Sequence, residues 1–403
     1  MVFIEVTHEK GHIVELSGAA FLSGDSLQEV VESTMAAIKE AGGSPTPGII
    51  EELRRRPDAT ISSNVPRIVD IALGTLRAER LGKRVNGWLF TDRMAEQSTH
   101  PEIASYHARA FGNCTHVLEI CSGAGLDTLA LARVAGHVTT IESDPAIAEV
   151  TRGNLAREGI ENVTLIQASW PFHLGHVRPF DGVWADPSRR TELRRHRSGA
   201  QYDPPLASIP LAPIVGIKVG PGDDVLADGF ISEYIGYGKD CRERVLWKSA
   251  HMRVPTVTLA DKLVHWGRSS DAKPFVVPTA AYVIEPHKAL IASGGVGEFL
   301  HEIGAGVFDP HIAYGAMNVE PPSSCWYERY RVKKIDEGIS IRRIQQSIRE
   351  FQWGPTTIFK KRGWENDPED LRRALLFTCG GPPGVVIVMR VGDGHQTVYA
   401  ELL

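Results

Sequence analysis

Hydrophobic positions change their period along the chain, and the changes mark four stretches. Residues 2–6 and 13–16 are apolar or β-branched about Glu9-Lys10-Gly11, which predicts a hairpin. Leu27, Val30, Val31, Met35 and Ile38 then recur at helical spacing and stop at Gly42-Gly43, and further helical patterns cover about 47–56 and 65–81. Residues 1–90 therefore read as a mostly helical N-terminal domain. From 114 the pattern alternates: short apolar runs at 116–120, 138–142, 163–167, 182–186, 214–219 and 244–247, with helical periods at 126–134 and 145–158 between the first of them. Buried runs separated by helices of this length predict a parallel sheet covered on both faces, within a core of residues 91–285.

Residues 286–320 are richer in glycine and alanine and read as a connecting segment with one helix over 286–299. The tail, 321–403, shows strands at 325–335, 356–360, 385–390 and 397–402 and helices at 341–351 and 367–376. Strand, helix, strand, helix and a closing hairpin predict a small α+β domain.

Composition narrows the class without choosing a function. At 403 residues the chain is too long for one ordinary core, and 42% apolar with 23% charged residues excludes disorder as the main state. Five cysteines without a CxxC pair form neither a disulfide framework nor a zinc site and fit a reducing cytoplasm. The N-terminus does not read as a signal peptide, and no stretch reads as a transmembrane span, so no membrane partner is expected. The formal charge of −5 leaves partners to local charge. The H-E-x-x-H match, His8-Glu9-Lys10-Gly11-His12, falls on the turn of the expected hairpin rather than on a helix, so no catalytic metal is expected; neither G-x-S-x-G nor a P-loop occurs, which argues against a serine hydrolase and a P-loop ATPase.

The strongest chemical signal is Glu119-Ile120-Cys121-Ser122-Gly123-Ala124-Gly125, where an apolar strand ends in an acid and Gly-x-Gly opens a helix. Gly123 and Gly125 allow a sharp turn and a close approach of backbone to ligand. The next strand ends in Glu142, at the strand tip where an acid grips two ribose hydroxyls. A dinucleotide, NAD or FAD, would want a third glycine where Thr128 stands, and Glu119 would repel its pyrophosphate. The same carboxylate suits the cationic end of S-adenosylmethionine, which is the cofactor expected here.

Residues 114–190 resemble a class I S-adenosylmethionine-dependent methyltransferase. Glu119–Gly125 stands as motif I, Gln167 and Ala168 match the strand end that flanks adenine, and 180–190 matches motif IV and its catalytic-face loop. Met94–His100, Asp186–Arg190, Lys218-Val219-Gly220-Pro221-Gly222 and Phe359-Lys360-Lys361-Arg362-Gly363 extend the likeness to a bacterial methyltransferase family with a C-terminal THUMP-like domain, over about 70% of the chain. The fold implied is α/β: a Rossmann-like class I methyltransferase core with an N-terminal mostly helical cap and a C-terminal small α+β domain. The cofactor residues implied are Glu119, Cys121, Gly123, Gly125, Glu142, Ser143, Gln167, Ala168 and Asp186, with Gln97 closing over them. THUMP domains capture RNA, so the likeness implies an RNA substrate, tRNA or rRNA, with no DNA expected.

Asp186-Pro187-Ser188-Arg189 follows a strand at the carboxyl edge where open α/β sheets place ligands, and Asp186 is the expected proton acceptor. Enzymes of exocyclic base amines show Pro and an aromatic residue where Ser188 and Arg189 stand, so this loop departs from their pattern. Uracil C5 enzymes need a nucleophilic cysteine, and Cys241 lies in what reads as a solvated turn. Arg189, Arg190, Arg194, Arg195 and Arg197 form the densest positive run and read either as a phosphate-contacting lid or as a solvated surface loop. Between 329 and 362 stand ten Lys or Arg against three acids; Arg331, Lys333, Lys360, Lys361 and Arg362 are the expected phosphate contacts, beside Trp364. The expectation is a methyltransferase modifying an RNA nucleobase. Its rivals are a methyltransferase of a protein or small molecule with the tail as scaffold or dimerisation module, and a non-catalytic RNA-binding protein that retains the fold.

Overall fold

The N-terminal hairpin forms as β1 (Val2–Val6) antiparallel to β2 (Ile13–Glu15). Its larger consequence was not legible: β1 also pairs in parallel with the strand at 163–167, so the N-terminal stretch extends the core sheet. This computed structural model describes residues 2–6, 13–15, 25–171, 179–189, 201–225, 228–249, 256–269 and 272–403. The chain divides into two compact units, Met1–Ser232 with Arg244–Arg253, and Glu233–Glu243 with Val254–Leu403.

In the first unit, helix α1 (Asp25–Glu40) buries Val30, Val31, Met35 and Ile38, the face its periodicity predicts. Helix α2 (Pro47–Arg55) starts where the Thr46 hydroxyl accepts from the Ile49 N–H, and α3 (Ala59–Ser63) where Asp58 accepts from Thr60. Helix α4 (Val65–Arg80) buries Ile68, Ile71, Ala72 and Leu76 and runs against the backbone that leads into α5 (Asp92–Gln97). A Cβ on Gly74 would stand 2.1 Å from the Thr91 carbonyl carbon and 2.4 Å from the Phe90 oxygen. Backbone cannot yield as a side chain can, so Gly74→Ala is expected to cost about 3 kcal/mol, read as a lower denaturation midpoint at unchanged slope. An unchanged midpoint would show that α4 shifts freely.

After α6 (Pro101–Ala108) the chain alternates: β3 (Val117–Ile120), α7 (Leu126–Ala132), β4 (Val138–Glu142), α8 (Pro145–Arg157), β5 (Val163–Gln167), β6 (Gly182–Ala185) and β7 (Ile214–Val219). Strand order is β7-β6-β3-β4-β5-β1-β2, all parallel except β2. Successive strands step outward from β3 to one side and then, from β6, to the other. The crevice between the carboxyl ends of β3 and β6 is thus a topological switch point, where such sheets bind ligands. Strands β3, β4 and β6 are buried along their whole length, as an interior sheet requires. Strand β8 (Ile231–Tyr237) has no counterpart among the expected elements, and the run expected at 244–247 belongs to β9 (Asp240–Ser249), which is antiparallel to β7.

In the second unit β10 (Val257–Leu259) lies parallel to β8 and antiparallel to β11 (Val264–Trp266). A seven-stranded sheet follows. It is built from β12 (Tyr282–Pro286), β13 (Gly306–Val307), β14 (Gly315–Met317), β15 (Tyr327–Glu337), β16 (Ile358–Arg362), β17 (Val385–Val391) and β18 (Gly394–Leu402), in the order β13-β14-β12-β15-β18-β17-β16. The segment expected as a connector, 286–320, supplies two of these strands and two helices, Lys288–Ala292 and Val296–Glu302, where one was expected. The helix Ile341–Glu350 lays Ile344 and Ile348 on Trp353, Val386, Val388 and Tyr399. The fold is therefore a Rossmann-like α/β core with a mostly helical N-terminal region and a smaller α+β domain. Among the described residues no helix is long and apolar enough to cross a membrane.

Candidate active site at the switch point

The loop between β3 and α7 is held by the strand tips around it. Cys121 and Ser122 donate their backbone N–H groups to Ile141 O, and the Gly123 N–H donates to Glu142 Oε2 at 3.0 Å. Glu142 Oε1 accepts from the Asp144 N–H at 3.0 Å; burial raises this carboxyl, with those backbone N–H groups opposing. Gly123 and Gly125 both have positive φ, at 53° and 89°, and so does Cys121 at 70°, which is rare for a residue with a side chain. The two glycines serve different neighbours. A Cβ at Gly123 would meet open space, whereas one at Gly125 would press on Thr151 at 3.0 Å. Of the two, Gly123 is the one that leaves open space beside its backbone.

Glu119 is turned beneath this loop and 1% exposed. Thr128 Oγ1 donates to one of its oxygens at 2.6 Å, and the other is buried without a hydrogen bond of good geometry. Burial pushes its carboxyl up to about 8, against the pull of the Thr128 and Thr140 hydroxyls. A buried acid beneath the loop and bare backbone above it fit a ligand with a cationic end, as S-adenosylmethionine has. Gln167 stands opposite Glu142 in the β4–β5 register, and the Ala168 N–H donates to Glu142 O at 2.9 Å, so both share its edge. Ser143 is exposed beside Glu142. Gln97 is exposed on α5 and accepts from Arg93 Nε at 3.3 Å; Met94 and Ala95 of this segment are buried, and so is the polar Thr99, 4% exposed.

Asp186 follows β6, and its N–H donates to Ile120 O at 3.1 Å, so it sits one strand from the glycine loop. Its Oδ2 accepts from Lys218 Nζ at 2.7 Å. Lys218, 7% exposed on β7, also donates to Thr99 Oγ1 at 2.8 Å, and Thr99 donates to Asp127 Oδ2 at 2.5 Å. Asp127 lies 3.6 Å from His107 Nδ1, and His107 stacks on Trp184 at 4.5 Å between ring centres. Burial opposes ionisation of Asp127, but His107 and the Lys218 charge hold its carboxyl below the usual range. Sequence reasoning assigned no site role to Lys218 or Asp127; the Lys218-Val219-Gly220-Pro221-Gly222 run at the end of β7 was the available signal. His100, by contrast, caps α6 by accepting from the Glu102 N–H.

Pro187 is buried, and Ser188 exchanges backbone hydrogen bonds with Asp203 at 2.8 and 3.0 Å, which pins the loop. Arg189 is half-buried, its Nη1 3.8 Å from Asp223 Oδ2, beside the Tyr202 hydroxyl that donates to the same carboxylate. Arg190, Arg194, Arg195 and Arg197 lie outside the described residues.

Of the tail's expected phosphate contacts, Arg331, Lys333, Lys360 and Arg362 meet acids. Arg331 pairs with Glu320 at 3.2 Å and Lys333 with Glu401 at 3.5 Å. Lys360 bridges Glu285 and Glu328, Arg362 approaches Glu285 at 3.6 Å, and Lys361 donates to the Glu365 and Asn366 carbonyls. Against the cost of burial, Lys239, Tyr330 and Lys360 hold the Glu328 carboxyl down at about 2. Trp364 packs against the apolar cluster around Trp353. Cys241 lies on β9 rather than in a solvated turn, and burial pushes its thiol up to about 12, far from a ready nucleophile.

No established family profile matches the chain. An uncharacterised S-adenosylmethionine-dependent methyltransferase of Mycobacterium tuberculosis strain H37Rv is 29% identical over 363 residues, 85% of this chain and 98% of that one. Shorter matches are a protein-L-isoaspartate O-methyltransferase of Methanoregula boonei, 43% identical over 67 residues (17% of this chain, 31% of that), and a 23S rRNA (uracil(1939)-C(5))-methyltransferase of Klebsiella pneumoniae, 38% over 82 (18% of each). The crystal structure of a proposed methyltransferase from Porphyromonas gingivalis W83 shares the fold, with a TM-score of 0.68 and 16% identity over 93% of this chain and 98% of that one. Fold, crevice and relatives define a class I S-adenosylmethionine-dependent methyltransferase. The chain is an enzyme of that class, with S-adenosylmethionine as its cofactor, related to uncharacterised bacterial methyltransferases.

Proposed function

We propose that the enzyme methylates a nucleobase of RNA, tRNA or rRNA, in the cytoplasm. The observation that carries this reading is Asp186. Lys218 holds its Oδ2, while its Oδ1 has no hydrogen bond among the described residues and the side chain is about one-quarter exposed. That free oxygen suits an N–H or O–H of the acceptor. When bound, S-adenosylmethionine supplies an electrophilic methyl carbon: the acceptor's lone pair bonds to it, and the carbon–sulfur electron pair stays on sulfur. Asp186 takes the proton the acceptor loses and passes it to water. Gly123, Gly125 and Cys121 would seat the methionine part with the Glu119 carboxyl beneath, Glu142 and Ser143 the ribose, Gln167 and Ala168 the adenine, and Gln97 the outer edge. RNA is supported by the arginine run from Arg189 and by the local match to an rRNA methyltransferase. A THUMP-like role for residues 321–403 in capturing RNA is part of the same proposal.

A second reading, a protein or small-molecule acceptor with the tail as scaffold, is favoured by the ion pairs that occupy Arg331, Lys333, Lys360 and Arg362. Radiolabelled S-adenosylmethionine with total RNA, protein and metabolite fractions from a strain lacking the gene separates the two. Label in a nucleoside supports RNA; label confined to protein or small molecules overturns it.

A further inference from the structure

Lys218 has no role in the reading above beyond its contact with Asp186. Its ammonium is buried between two carboxylates, Asp186 directly and Asp127 through Thr99, and its aliphatic stem rises from the carboxyl end of β7. The contacts join four pieces far apart in sequence: the turn before α6, the first turn of α7, the loop after β6 and the end of β7. Burying charges here carries a desolvation penalty that well-packed apolar side chains of similar volume would avoid. An arrangement of this kind therefore serves orientation more than stability. A carboxylate on a short side chain can rotate about its last bond, and one fixed donor on one oxygen removes that freedom. Asp186 has its backbone fixed by Ile120 O and one oxygen fixed by Lys218.

We propose that Lys218 is a positioning residue of the methyl transfer: it clamps Asp186 by one oxygen so that the other faces the acceptor, and Thr99 with Asp127 holds the clamp in place. The proposal rests on the reading of Asp186 as the acceptor-facing group.

The test compares Lys218→Met, Lys218→Arg, Asp186→Ala and the Lys218→Met/Asp186→Ala double variant, in full-length protein, with radiolabelled S-adenosylmethionine and total RNA. Misplacement of a reacting group by about 1 Å costs about a hundredfold in rate. Lys218→Met is expected to lower kcat about a hundredfold with KM and the Kd for S-adenosylmethionine within about threefold of wild type. Lys218→Arg, keeping charge and donors, recovers at least about a tenth of the wild-type rate and covers the case in which Lys218→Met does not fold. The double variant is expected to be no slower than Asp186→Ala alone, because both act through one group. A crystal structure of Lys218→Met, or of Lys218→Arg in its place, reports without any acceptor: the Met variant should show the Asp186 carboxylate turned or in two rotamers, the Arg variant the carboxylate held. Wild-type kcat in Lys218→Met beside an inactive Asp186→Ala, additive losses, or an unmoved Asp186 in the Met crystal overturns the clamp. Wild-type transfer by Asp186→Ala overturns the underlying reading instead.

Discussion

Asp186→Ala is expected to lower methyl transfer into RNA about a thousandfold while the enzyme still binds S-adenosylmethionine within about threefold of wild-type affinity. The rate loss is within the range for removing a group that accepts a proton in the transition state. Binding survives because the other residues expected to hold the cofactor stand at or just beyond the ends of β3, β4 and β5 and on α5, whereas Asp186 stands on the loop after β6. Equilibrium dialysis with labelled cofactor gives the affinity, and single-turnover transfer gives the rate. Asp186→Asn separates two roles: it keeps an acceptor oxygen and loses the charge, so a loss as large as that of Ala assigns the effect to charge. Transfer at the wild-type rate by Asp186→Ala would move the acceptor site elsewhere in the crevice.

Glu119→Gln should alter stability and cofactor affinity in opposite directions. The folded carboxyl is raised to about 8 from an ordinary 4.5, so the folded state binds more protons than the unfolded one between those values. Wild-type stability from this group therefore falls as pH rises from about 4.5 and levels off above about 8. The full loss is on the order of 5 kcal/mol. The glutamine variant lacks that slope, so its advantage over wild type should be near zero at pH 5 and largest near pH 9, read from urea midpoints across the range. At pH 9, where the folded carboxyl is ionised, the same substitution removes the negative charge beneath the loop and should weaken binding of S-adenosylmethionine about tenfold or more. Parallel stability curves would show that Glu119 is ionised in the folded state throughout, and unchanged affinity would show that its charge serves the loop alone.

The tail shows how local reading can be accurate and still leave out what a surface pairs with. The strand and helix order from β15 to β18 follows from periodicity, and so does the charge excess between 329 and 362. What that excess does depends on Glu285, Glu320 and Glu401, which lie outside the counted window, and on Glu328 at its edge. The β12–β15 pairing brings Glu285 opposite Glu328, and Lys360 then bridges the two. A basic row in sequence becomes a row of ion pairs once the strands are in register.

The cofactor edge was legible because its chemistry is local. A strand of four buried residues, a loop that needs positive φ, and an acid at the next strand tip are each properties of fewer than ten consecutive residues. The same holds for the α/β alternation and for the face of α1. Tertiary structure alone decided the pairing of β1 with β5 across about 160 residues, the burial that raises Glu119, and the Asp186–Lys218–Thr99–Asp127 chain. Period and propensity act between neighbours along the chain. Ion pairs, desolvation and strand register act between groups brought within a few ångströms by folding, and no pattern in 403 letters carries those distances.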